Sequence, residues 1–217
     1  MNRWKRMGLA ALAASLAACA PKQEPPPVVD MAAMACADSF ALDGVMPLQF
    51  DPKGKDEKTT TAILDAKARC VHDAQGVPSL YQVFALPDLG APYIVAVRTI
   101  PWGGTLLAPK VLLLGGDGKV LRSTSHADFT FRGQELSALM RSHPGEAYLV
   151  VTSDNEVLGR DISRIVEAVR TSAAALPNGG TFIWYSGSDS VNHMTLASVG
   201  RTDVTITPFP VADEKKK

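Results

Sequence analysis

The sequence predicts a mainly β protein, a β-sandwich of jelly-roll-like type with one inserted amphipathic helix. Three observations carry that expectation. At least seven short runs rich in Val, Ile, Thr and aromatic residues are separated by turn residues. One of them, "PYIVAVRT" at residues 92–99, alternates so that Tyr93, Val95 and Val97 share a face. Only one long stretch carries strong helix signals.

In chain order, the first strand expected is Thr59–Leu64, a β-branched run after a charged turn at residues 53–58. Strands follow at residues 79–86, 92–99, 106–114 and 119–123, and Asp117-Gly118 supplies a hairpin turn between the last two. Residues 129–131 add a short edge piece, 134–141 a shorter helix, and 147–152 ("AYLVVT") a buried strand. The main helix starts at the capping-box pattern Ser153-x-x-Glu156, and Leu158, Ile162, Ile165, Val166 and Val169 fall on one face at helical spacing. Gly159 weakens its start, and Pro177-Asn178-Gly179-Gly180 ends it. Strand-like runs at residues 181–185, 194–199 and 204–207 close the fold, and a charged tail occupies residues 212–217.

The first eighteen residues read as an export signal. Arg3, Lys5 and Arg6 precede an uncharged apolar run from Met7 to Ala18. Twelve residues of helix reach about 18 Å, short of the roughly 30 Å bilayer core. The run ends in Leu16-Ala17-Ala18-Cys19, which resembles the lipobox of bacterial lipoproteins. That resemblance implies an acylated Cys19 as the first mature residue, and Ala20 after it, rather than aspartate, implies sorting to the outer membrane. The alternative is an ordinary cleaved signal. Residues 19–34, with Pro21, Pro25, Pro26 and Pro27, read as an extended tether to a domain at 35–211.

Removing residues 1–18 takes three basic groups from 22, leaving 19 against 22 acidic ones and a net charge of −3. No basic field for nucleic acid remains. An even pair of cysteines, Cys36 and Cys70, in an oxidising compartment predicts a disulfide, with two buried free thiols as the alternative.

Signatures of chemistry are sparse. "YSGSDS" lacks the G-x-S-x-G elbow, although Ser186, Ser188 and Ser190 lie near His193 in sequence. "GGDGK" fails the phosphate-loop spacing and reads as a hairpin. His72, His126, His143 and His193 form no metal-binding pair, and "DPKGKDE" lacks the calcium-loop order. No catalytic residue, metal or cofactor is therefore assigned. The candidate ligand-binding residues are aromatic: Trp102 at an expected loop tip, and Trp184 and Tyr185 facing opposite sides of a strand. Each is also compatible with plain packing.

The mature chain resembles the maltose operon periplasmic protein family. The resemblance rests on the order of "PLQF", "KTTTAIL", "GVPSLYQVFALP", "PYIVAVRT", "LAPKVLLLGGDGKVL", "FTF", "ELSALMR" and "AYLVVTSDNEVLG", running from about Met46 to Gly159. It departs from that family in its lipobox, its Cys36/Cys70 pair and its lack of an alanine-proline linker with a helical extension. The passage from "FALPDLG" to "GDGKVL" also looks like the small sandwich appended to exported peptidases, which speaks to fold alone. The family implies a non-enzymatic envelope protein tied to maltodextrin uptake. The expected role is thus an outer-membrane-anchored, periplasm-facing accessory or binding lipoprotein, with a porin or other envelope protein and an oligosaccharide as partners. The alternative is a structural or assembly lipoprotein docking onto an envelope complex by a strand edge or apolar patch.

Overall fold

A computed structural model describes residues 25–53 and 56–209. The lipobox with Cys19, the first part of the tether and the charged tail lie outside them. The described chain is a β-sandwich with an added third sheet. Its strands are β1 (Met46–Pro47), β2 (Thr59–Leu64), β3 (Arg69–His72), β4 (Pro78–Ala85), β5 (Tyr93–Ile100), β6 (Thr105–Leu107), β7 (Pro109–Gly115), β8 (Val120–Thr124), β9 (Thr130–Arg132), β10 (Glu135–Arg141), β11 (Glu146–Ser153), β12 (Asp161–Ala175), β13 (Thr181–Ala197) and β14 (Gly200–Pro208).

One layer runs β1-β4-β11-β7-β8, with β3 also on β4; the other runs β2-β14-β5-β10-β9. Alternation aims Leu80, Phe84, Val111, Leu113, Leu149 and Val151 of the first layer at Val95, Val97, Leu136, Met140, Val204 and Ile206 of the second. This is the main core. The first layer is buried on its outer face too. There Val71, Tyr81, Val83, Leu114 and Val150 are covered by Phe40, Leu42 and Val45.

That cover is a strap of N-terminal chain, and it is pinned at several points. Cys36 and Cys70 form a disulfide. Ala37 bridges Val71, the Ala41 N–H donates to the Tyr81 hydroxyl, and Phe40 meets Tyr81 edge to face at 5.0 Å. Arg69 donates to the Ala41 carbonyl and the Asp43 carboxylate. Further upstream, Val29, Met31 and Met34 pack against the main core.

Two expected helices are strands. In the stretch 134–141, Glu135–Arg141 forms β10, whose inward residues are Leu136, Ala138 and Met140, while Leu139 is exposed. The apolar spacing there fits both periods, and pairing with β5 and β9 selects the strand. The capping-box segment makes only a 3-10 turn, Asn155–Val157, with Asp154 accepting from the Glu156 N–H. Gly159, at φ +75°, ends that turn. The expected helical face then lies in β12. Its Ile162, Ile165 and Val169 are β-branched, stiff at χ1 and at home in strands. Pairing along all of β12 with β13 decides the outcome.

Replacing both Cys36 and Cys70 by serine is expected to lower stability by about 3–4 kcal/mol, the value for closing a loop of this length. Urea unfolding measures that loss. Dye binding to the uncovered Tyr81–Val83–Val150 face should rise with it.

Candidate interaction site

The third sheet, β12-β13-β6, is unlike the other two. β12 and β13 pair without a break from Asp161↔Thr195 to Ala175↔Thr181. Fifteen residues of strand span about 50 Å. The segment read as a helix stop is instead the hairpin turn: the Leu176 N–H donates to the Gly180 carbonyl, and Gly179 takes φ +83°.

Only the base of this hairpin is held by the sandwich. Thr195, Leu196 and Ala197 pair in parallel with β6, and Met194 and Leu196 are buried in the main core. The Arg164 guanidinium donates to the Gly133 carbonyl at 2.7 Å and lies over the Phe131 ring. Thr195 donates to Asp161 at 2.8 Å. Gly200 lets the chain leave β13 beside Leu107, where a Cβ would sit 2.8 Å from the Leu107 Cβ. Beyond this base the arm is exposed. From Val169 to Val191 only Ser172 is partly covered. Ile165, Val169, Phe182, Ile183, Trp184, Tyr185 and Val191 stand in solvent.

The two faces of the arm follow from the register. Ile165, Val169, Ile183, Tyr185 and Val191 lie on one face; Arg164, Arg170, Ser172, Ser186, Ser188 and Asn192 lie on the other. Near the tip the second face carries Phe182 stacked on Trp184, with ring centroids 5.7 Å apart. No charged residue occurs from Thr171 to Ser188. Trp184 and Tyr185 therefore face opposite sides, as the sequence indicates.

Trp102 is elsewhere. It sits in the turn between β5 and β6, bridged to Thr105 and half-buried beside a cleft of about 270 Å³ lined by Ile63, Pro101 and Arg201. β6 meets β13 at Thr195, eleven residues from Trp184, or roughly 36 Å along the strand. The structure does not gather the three candidate aromatics into one site.

Nor does it join Ser186, Ser188 or Ser190 to His193. Those serines lie on the face of β13 opposite the histidine. His193 instead meets the Ser163 hydroxyl across the ladder at 2.9 Å, a contact that strand pairing alone reveals. It is exposed, and Asp161, a carboxylate on the same face, accepts from Thr195. Among the described residues no cluster of three His, Cys, Asp or Glu side chains could hold a metal. The GGDGK stretch is a hairpin turn in which Lys119 pairs with Asp117.

A larger cleft, about 600 Å³, opens between the β4–β5 and β10–β11 connections. Its polar groups are engaged with one another. Glu146 pairs with Arg122 and accepts from the His143 N–H, and the Tyr93 hydroxyl donates to the Pro87 carbonyl. Burial, with Glu146 and then Asp88 adding to it, pushes the Tyr93 phenol up to about 12, so it stays protonated.

No family model, curated protein or solved structure matches this chain.

At the arm's root, Asp154 is buried and accepts from the His126 N–H at 3.0 Å. Burial holds the His126 imidazole below its ordinary 6.5, against the attraction of Asp154 and with the repulsion of Arg160. A lowered histidine value means that the unfolded chain binds more protons. Its contribution is present above about pH 6.5 and is lost as pH falls through the lowered value. Urea midpoints measured from about pH 7.5 to pH 5 should decline, and His126→Gln should flatten that decline.

Proposed function

We propose that this chain is a non-catalytic envelope lipoprotein, anchored by Cys19 to the outer membrane and facing the periplasm, that docks onto protein partners through the β12–β13 arm. One observation carries the reading. A long hairpin leaves the sandwich with aromatic side chains on both faces and with both outer edges of its backbone unpaired along most of its length. Phe182 and Trp184 on one face and Tyr185 on the other together expose roughly 300 Å² of aromatic surface. The lipobox supports the anchor, and the opposed placement of His193 and the neighbouring serines supports a role without chemistry.

A second reading keeps the carbohydrate role. The resemblance to the maltose operon periplasmic protein family favours it, as does the Trp102–Arg201 cleft, where an indole and a guanidinium flank a small opening. In this reading the partner is an oligosaccharide or the porin that passes it.

Two experiments test these readings. Cys19→Ala should move the protein from the membrane pellet to the soluble or unprocessed fraction; unchanged lipid-dependent sedimentation would remove the anchor. A photo-crosslinking residue at Tyr185, in the full chain in its own membranes, should give discrete protein adducts that the same group at Lys119 does not. Absence of such adducts would sink the docking role. Saturable maltodextrin quenching of tryptophan fluorescence, lost in Trp102→Ala, would favour the second reading.

A further inference from the structure

We infer that the arm's partner is the arm of another copy of this chain, and that copies close into a ring by pairing β12 of one arm with β13 of the next. This rests on the docking role proposed above and names its partner.

The backbone supplies the first argument. In the sheet order β12-β13-β6, β12 is an edge strand along its whole length. Among the described strands only β6 pairs with the outer side of β13, from Thr195 to Ala197, so from Thr181 to Met194 no described strand lies beside it. The two open edges run antiparallel. Arms standing side by side and pointing the same way therefore present β12 to β13 at every junction, in the antiparallel sense that forms a ladder. Such a head-to-tail contact closes into a ring when the rotation allows. One other copy would leave two edges open; a ring leaves none.

The second argument is that the upper part of this edge lacks the usual protections. Edge strands of monomers are short, bulged, or guarded by proline or by charged residues, lysine above all. β12 and β13 contain no lysine or proline, carry no charged residue from Thr171 to Ser188, and keep a continuous register from base to tip. An isolated two-stranded ribbon is marginal in water. Here both of its faces are wet.

Closing a sheet sorts alternate residues to inside and outside. One side of the ring would carry Ile165, Val169, Ile183 and Tyr185 with Asp189 and His193, and the other Arg164, Arg170, Ser186 and Asn192 with Phe182 and Trp184. Small closed barrels have about eight strands, so the ring holds four or more copies.

The test uses the full chain extracted in detergent from its own membranes. Native mass spectrometry should give a single species of four or more copies. In addition, a cysteine is fixed at Ile183→Cys and a second is walked along β12 at Ser163, Ile165, Val169 and Thr171. Ala173, its neighbour within the same hairpin, is left out. At one walked position oxidation should produce a ladder of multimers on a non-reducing gel, since each arm would link to the next. A species no larger than a dimer, or arms that crosslink only to a different protein, overturns the ring while leaving the docking role standing. A monomer whose arm also gives no adduct at Tyr185 overturns both. A monomer that binds phospholipid vesicles through the arm overturns the ring in favour of a lipid-facing arm.

Discussion

Everything in this fold depends on covering the first sheet on both of its faces. The inner face packs on the second sheet, which any sandwich requires. The outer face carries Tyr81, Val83, Leu114 and Val150, and nothing in the sandwich itself can cover them. The N-terminal strap does so, and the Cys36–Cys70 bridge fixes the strap at the point where it meets β3. A disulfide at that place removes freedom from a segment whose own secondary structure is slight. It also explains why β7 and β11 read as nearly continuous apolar runs. Strands buried on two sides have no reason to alternate.

The arm is the reverse case. It leaves the body at a well-made base, where Met194 and Leu196 enter the core and Arg164 is held by Gly133 and Phe131, and it then receives no cover from its own chain. At about 25 cal/mol per Å², the roughly 300 Å² of exposed aromatic surface near the tip represents about 7 kcal/mol of unrealised burial. The same sequence that protects a sheet face with a strap and a disulfide leaves this surface open. That contrast within one chain is what supports the proposal that the arm serves intermolecular contact.

Much of the sandwich was legible in the sequence. Thr59–Leu64 forms as read, and so does the alternation of Tyr93, Val95 and Val97. The turn at Asp117-Gly118 and the cysteine pair also hold. The arm was not legible, for a physical reason. Ile162, Ile165, Val166 and Val169 satisfy helical spacing, and a single strand of this kind carries no local mark of the partner that stabilises it. That partner, β13, lies beyond a Pro-Asn-Gly-Gly turn, which signals a helix stop and a hairpin equally well. The strand read at residues 181–185 and that at 194–199 are one element, because Ser186–Ser190 is polar on both faces and looks like a loop until it is paired. The opposite facing of Trp184 and Tyr185 was readable from alternation. Their distance from Trp102 was not, since it depends on where β6 meets β13.

The tether and the arm bear on each other. Cys19 precedes Val29, the first residue seen against the core, by ten positions, and covalent geometry limits that stretch to about 35 Å. An acylated Cys19 would therefore hold every copy within a thin layer beside one membrane. Confinement of that kind raises effective concentration without any new contact. It also favours the shared orientation that a β12-to-β13 ladder demands, because arms that point oppositely cannot close into a ring. A weak edge-to-edge contact between free monomers would become a stronger one between anchored neighbours. On this argument a lipid anchor at Cys19 would take part in the proposed assembly as well as set the address.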